Sequence, residues 1–124
     1  MTNQDKFYFE KESDAFFDRW KANQTPDTNV QLRESKREIY NLLKSNVAID
    51  KLKVLEIGCF IGDLLGYLKS QHGCLIHGVE PSAKACKYAS EHFDVQLENA
   101  TFSGSTLFAL TEANYNRFDI IICD

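Results

Sequence analysis

The sequence predicts an α/β fold in which a parallel sheet carries helices on both faces, and three observations predict it. Short β-rich runs alternate with helical stretches from Lys53 onward, and such alternation implies a parallel sheet joined by right-handed crossovers. The run Phe118-Asp119-Ile120-Ile121-Ile122-Cys123 is almost continuously apolar, the pattern of a strand buried on both faces. The first β-rich run ends at a glycine turn that opens a helix, the place where open sheets of this kind bind ligands.

Each element has its own signal. Ser13 caps a short helix from about Asp14. Phe16, Phe17 and Trp20 share one side of it, either as packing on the domain or as a flap over a pocket. The run Thr25-Pro26-Asp27-Thr28 interrupts the pattern. A second helix covers Asn29 to Ser45, with Leu32, Ile39, Leu42 and Leu43 as its apolar stripe and Glu34, Lys36, Arg37 and Glu38 mostly outside it. Lys53 to Ile57 is the first strand, and the turn Gly58-Cys59-Phe60-Ile61-Gly62 leads into a helix from Asp63 to Gln71, closed by His72-Gly73. Its buried side is Leu64, Leu65 and Leu68. Cys74 to Glu80 is the second strand. Pro81-Ser82 opens a helix to about His92, with Ser82 as its cap and Ala85, Cys86 and Ala89 inward. Asp94 to Glu98 is a third strand, Thr106 to Ala113 a weak helix, Asn114 to Asn116 a turn, and Phe118 to Cys123 the fourth strand. Residues 1–50 form an N-terminal helical segment and residues 51–124 the core.

Composition narrows the function. The 124 residues are 44% hydrophobic and 26% charged, with a net charge of −4, as in an ordinary globular domain. Neither half is basic, so general nucleic-acid binding is not expected. No apolar run approaches the roughly 20 residues of a membrane helix, and the first ten residues lack the apolar centre of a signal peptide. A cytoplasmic protein is expected. The cysteines Cys59, Cys74, Cys86 and Cys123 form no Cys-x-x-Cys pair. Cys74 and His77 on a strand point to opposite faces, so no metal site is expected.

The residues after the strands carry the chemistry. Glycines at 58 and 62 permit a tight turn and close backbone approach, and the following helix offers unpaired N–H groups. Glu80, at the end of the second strand, can accept from two adjacent ribose hydroxyls. Together these suit a ligand containing a nucleoside. Phe60 occupies the second glycine position of the dinucleotide fingerprint, where its bulk opposes a pyrophosphate, and no Gly-Lys-Ser/Thr follows as in a P-loop.

The stretch Val54-Leu55-Glu56-Ile57-Gly58-Cys59-Phe60-Ile61-Gly62 resembles the first motif of class I S-adenosylmethionine (SAM)-dependent methyltransferases. His77-Gly78-Val79-Glu80-Pro81-Ser82 resembles their second motif, and Phe118 to Asp124 their fourth-strand motif. The resemblance implies a Rossmann-like three-layer fold with strand order 3-2-1-4 and SAM as cofactor. It implies that Glu56, Gly58 and Gly62 line the methionine end, with Cys59 and Phe60 in the same loop. Glu80, beside Pro81, would bind the ribose, Asn99 and Ala100 would lie by the adenine, and Cys123 and Asp124 would border the methionine moiety and methyl group. Phe60 departs from the family's usual middle glycine, and Asn99 from its frequent aspartate, although an asparagine carbonyl accepts the same hydrogen bond.

The implied function is methyl transfer from SAM to a small-molecule acceptor, with no catalytic base identified. The alternative is a catalytically silent nucleoside-binding or interaction module on the same fold. An NAD-dependent oxidoreductase is disfavoured by Phe60. In this family the sheet continues beyond strand four, so the chain is expected to be a piece of a longer protein, or to pair through that bare apolar edge as a homodimer.

Overall fold

A computed structural model describes residues 12–24, 32–101 and 118–123. The predicted helix at 106–113, the turns at 25–28 and 114–116, and Asp124 lie outside the described residues. The elements run α1 (Ser13–Ala22), α2 (Glu34–Asn46), β1 (Lys53–Ile57), α3 (Asp63–His72), β2 (Leu75–Glu80), α4 (Ala83–Phe93), β3 (Glu98–Asn99) and β4 (Ile120–Cys123). The four strands form one sheet in the order β3-β2-β1-β4, every pair parallel.

Helical spacing explains the principal core. Leu64, Leu65 and Leu68 on α3 are fully buried and pack with Val54 of β1, Ile122 of β4 and Ala89 of α4. Close approach of α3 requires glycine at position 78: a Cβ there would meet Leu65 Cδ1 and Leu97 Cδ2 at 2.6 Å and Cys59 Sγ at 2.9 Å. On the opposite face Leu55 and Val79 pack with Ile57, Ala100 and Phe118. Asp119 closes the start of the sheet, its carboxylate accepting from the Lys53 N–H at 2.8 Å while its own N–H donates to the Lys53 carbonyl.

Several local expectations change. Ser13 lies inside α1 rather than capping it, and its hydroxyl donates across to the Pro81 carbonyl at 3.4 Å. Residues 29–31 are outside the described part, and α2 begins at Glu34 because Arg33 is extended, its backbone N–H and guanidinium both held by Asp63. Lys36 is buried whereas Leu42 is 67% exposed. The inner face of α2 is therefore Lys36, Ile39, Tyr40 and Leu43, a helical i, i+3, i+4, i+7 set. Asp94 adopts a left-handed conformation that ends α4, so β3 shrinks to Glu98–Asn99. The fourth strand is not buried on both faces: Ile122 is covered by the helical layer, whereas Ile121, pointing the other way, is 51% exposed.

The other punctuation follows its physical causes. Gly73 ends α3 in a left-handed conformation. The Ser82 hydroxyl accepts from the Ala85 N–H at 3.0 Å and caps α4. Helix α1 packs on α4 and on the loop after β1 through Phe17, Phe60, Ile61 and Ala85, with Trp20 and Tyr88 partly buried against them.

Candidate functional site

The loop joining β1 to α3 makes three left-handed turns of backbone, at Gly58 (φ 76°), Phe60 (φ 54°) and Gly62 (φ 72°). Two are glycines, for which this conformation is inexpensive. At Phe60 it is strained, and the ring is held by aromatic neighbours: Phe16 at 5.1 Å, Trp20 at 5.4 Å and Phe17 at 6.2 Å between centroids, all edge-on. The Gly58 N–H donates to the Val79 carbonyl at 2.9 Å, which ties the loop to β2.

Glu80 is fixed by that loop from one side and by the start of α4 from the other. The Phe60 N–H donates to Oε1 at 2.9 Å and the Ser82 N–H to Oε2 at 2.7 Å. Each oxygen retains further acceptor capacity. Burial raises the Glu80 pKa above the usual carboxylate value, an effect opposed by the hydrogen bonds from Ser82 and Phe60.

A cavity of about 380 Å³ opens at the carboxyl ends of β1 and β2, a size typical of small-ligand pockets. Gly58, Phe60, Glu80 and Pro81 line it, as do Ser13 and Phe16 of α1 and Arg33. The structure thus brings together four of the expected cofactor-site residues and adds three to them. Arg33 was not legible in the sequence because its partner, Asp63, is remote in the chain. Its Nε and Nη2 donate to Asp63 at 3.0 and 2.9 Å, and its guanidinium carbon stands 4.9 Å from the Phe60 ring centroid. Phe16 was legible only as one aromatic of a helix with two possible roles.

The other expected site residues stand around the cavity rather than in its wall. Glu56 is fully buried beneath the loop, its Oε2 accepting from Lys36 Nζ at 2.6 Å. Cys59 is buried with its thiol on the Val79 carbonyl, and Gly62 caps α3. Asn99 pairs in register with Glu80, and its amide nitrogen donates to the carbonyls of Glu80 and Pro81 at 3.0 and 2.9 Å. Ala100 follows, its N–H on the Glu80 carbonyl at 3.1 Å. Cys123 is exposed at the end of β4, in register with Ile57.

A parallel sheet with a glycine-bounded loop and an anchored acid at adjoining strand ends defines an α/β domain with its ligand cavity at the carboxyl edge. Residues 54–124 match the family described as "Methyltransferase domain", and the chain belongs to that family, the class I SAM-dependent methyltransferases. It is 30% identical over 81 residues to the ubiquinone biosynthesis O-methyltransferase of Coxiella burnetii (strain RSA 493 / Nine Mile phase I), covering 65% of this chain and 34% of that protein. The chain thus spans about a third of the length of the curated relatives it matches.

Among solved structures, the magnesium protoporphyrin IX methyltransferase of Synechocystis PCC 6803 with bound SAM aligns with a TM-score of 0.62 and 17% identity, over 96% of this chain and 58% of that one. A TehB-like SAM-dependent methyltransferase from Corynebacterium glutamicum ATCC 13032 aligns with a TM-score of 0.58 and 20% identity, over 91% and 54%. These likenesses are of fold.

Proposed function

We propose that this chain is the cofactor-binding part of a methyltransferase that moves the methyl group of SAM to a small-molecule acceptor. The observation that carries the proposal is the anchoring of Glu80: a partly desolvated carboxylate, each oxygen fixed by a backbone N–H, in the wall of a cavity that begins at the Gly58 loop.

The residues present fit the cofactor. Glu80 would accept from the ribose hydroxyls, and Asn99 and Ala100 would border the adenine side. Gly58 lets the backbone come close to the ligand. Arg33, on the cavity wall and paired with Asp63, would turn its remaining guanidinium N–H groups to the carboxylate of the methionine portion. Cys123, and Asp124 beyond the described residues, would border the methyl group. When bound, SAM supplies a sulfonium methyl group that is already electrophilic. The chain's own part is to orient that ligand and exclude water from it. The name of the sequence relatives, which refers to ubiquinone biosynthesis, supports a small-molecule acceptor.

Calorimetric titration with S-adenosylhomocysteine (SAH) and, separately, NAD tests the proposal. SAH is expected to bind, and Glu80→Ala to weaken it by about tenfold or more, as loss of hydrogen bonds to a charged group does. Heat with NAD alone would favour an oxidoreductase, and heat with neither a silent module.

A further inference from the structure

The two residues whose N–H groups hold Glu80, Phe60 and Ser82, are both gripped by α1. On one side, Asp14 Oδ1 accepts from the Ser82 hydroxyl at 2.7 Å, and the Lys84 N–H lies 3.2 Å from the same oxygen. Ser82 in turn caps α4 and donates its own N–H to Glu80. On the other side, the Phe60 ring is enclosed by Phe16, Phe17 and Trp20 of α1, while its N–H holds the other oxygen of Glu80. The ring also explains why a bulky residue occupies a left-handed position that favours glycine: it is the handle by which the helix holds the loop.

We infer that α1 is a clamp on the ribose-binding acid, with Asp14 and Phe60 as positioning residues that act on the cofactor through Glu80. This rests on the reading of Glu80 as the ribose acid. With α1 seated, the two N–H donors stand on opposite sides of one carboxylate and fix the direction of its remaining lone pairs. With α1 released, Ser82 loses the acceptor of its hydroxyl and Phe60 loses the packing that offsets its strained backbone. Both donors then move independently, and the carboxylate no longer presents a fixed pair of acceptors to two adjacent hydroxyls.

Two measurements test the clamp. Amide hydrogen exchange, read by NMR without ligand, should accelerate by about tenfold or more at Ser82 in Asp14→Ala and at Phe60 in Trp20→Ala, in keeping with local opening. Unchanged exchange at both would overturn the proposal, whatever the ligand. The second measurement compares adenosine with 2′,3′-dideoxyadenosine. Asp14→Ala should reduce the preference for adenosine by about five- to tenfold, the scale of one ordinary net hydrogen bond. Asp14→Asn, which keeps an acceptor, should restore most of it. Asp18→Ala, which breaks only the exposed pair with Lys84, should leave it intact. Equal weakening of both nucleosides by Asp14→Ala would overturn the positioning role in favour of a merely structural one. If the wild-type chain bound neither nucleoside nor SAH, the ribose reading of Glu80 would fall, and the exchange data would still decide whether α1 clamps it.

Discussion

Lys36 and Glu56 form an ion pair inside the core, Nζ standing 2.6 Å from Oε2 with the side chains 2% and 0% exposed. The pair joins α2 to β1, two residues before Gly58. Glu56 Oε1 has no hydrogen-bond partner among the described residues. Burial raises the Glu56 pKa, and the neighbouring Lys36 opposes that rise.

Removing the cation alone therefore strands a charge. Lys36→Met is expected to cost about 3–5 kcal/mol, whereas Lys36→Met combined with Glu56→Leu recovers most of the loss, because two apolar residues replace a costly desolvated pair. Urea denaturation of the single and double variants measures both. A carboxyl whose folded pKa is raised takes up protons on folding. Its contribution is fully present below the usual value of 4.5 and is lost as pH rises through the folded value. Lys36→Met raises that folded value further, so its stability deficit should be smallest at acidic pH and widen upward.

How far the sequence reached is visible in this same pair. The three leucines of α3, the Ser82 cap and the place of Glu80 at a strand end follow from local periodicity and strand-end residues, which are properties of short windows, whereas the strand order comes only from the family resemblance. Lys36 was set outside the apolar stripe because its charge outweighed its place in the i, i+3, i+4, i+7 frame with Ile39, Tyr40 and Leu43. A lysine has an aliphatic stem long enough for such a face, and only its partner on β1 makes the burial tolerable. Arg33 was missed for the same reason: its guanidinium is fixed by Asp63, 30 positions away. Contacts between remote charges leave no periodic trace.

Phe60 carries opposing effects that can be weighed. Phe60→Gly relieves a left-handed residue, a gain of about 1–2 kcal/mol, and removes a buried aromatic side chain, a loss of about 3–5 kcal/mol. The net expectation is destabilisation by about 2 kcal/mol, read as a lower denaturation midpoint. A variant more stable than the parent would mean that the cluster around the ring contributes little.

Affinity for SAH should depend on the ionisation of Glu80. Only the carboxylate offers two acceptors to the ribose, and burial raises its pKa above the usual value of 4.5. SAH binding is expected to weaken as pH falls through that raised value, and Glu80→Gln should flatten the profile. Calorimetry from pH 4 to pH 8 gives both curves. An unchanged profile in Glu80→Gln would assign the titration to another group.

The thiols provide a final check on where the cofactor lies. Cys59 and Cys74 are buried with raised pKa values, and burial pushes Cys86 up to about 12. Alkylation proceeds through the thiolate and needs access, so these three should react slowly with iodoacetamide. Cys123 is exposed at the end of β4, in register with the residue that precedes Gly58, and it should be labelled first. If the methionine portion of the cofactor borders it, saturating SAH should slow that labelling severalfold while leaving the slow thiols unaffected. Peptide mass spectrometry after timed quenching follows each cysteine separately. Undiminished labelling of Cys123 under conditions where calorimetry shows SAH bound would move the ligand away from β4 and toward the Arg33 side of the cavity.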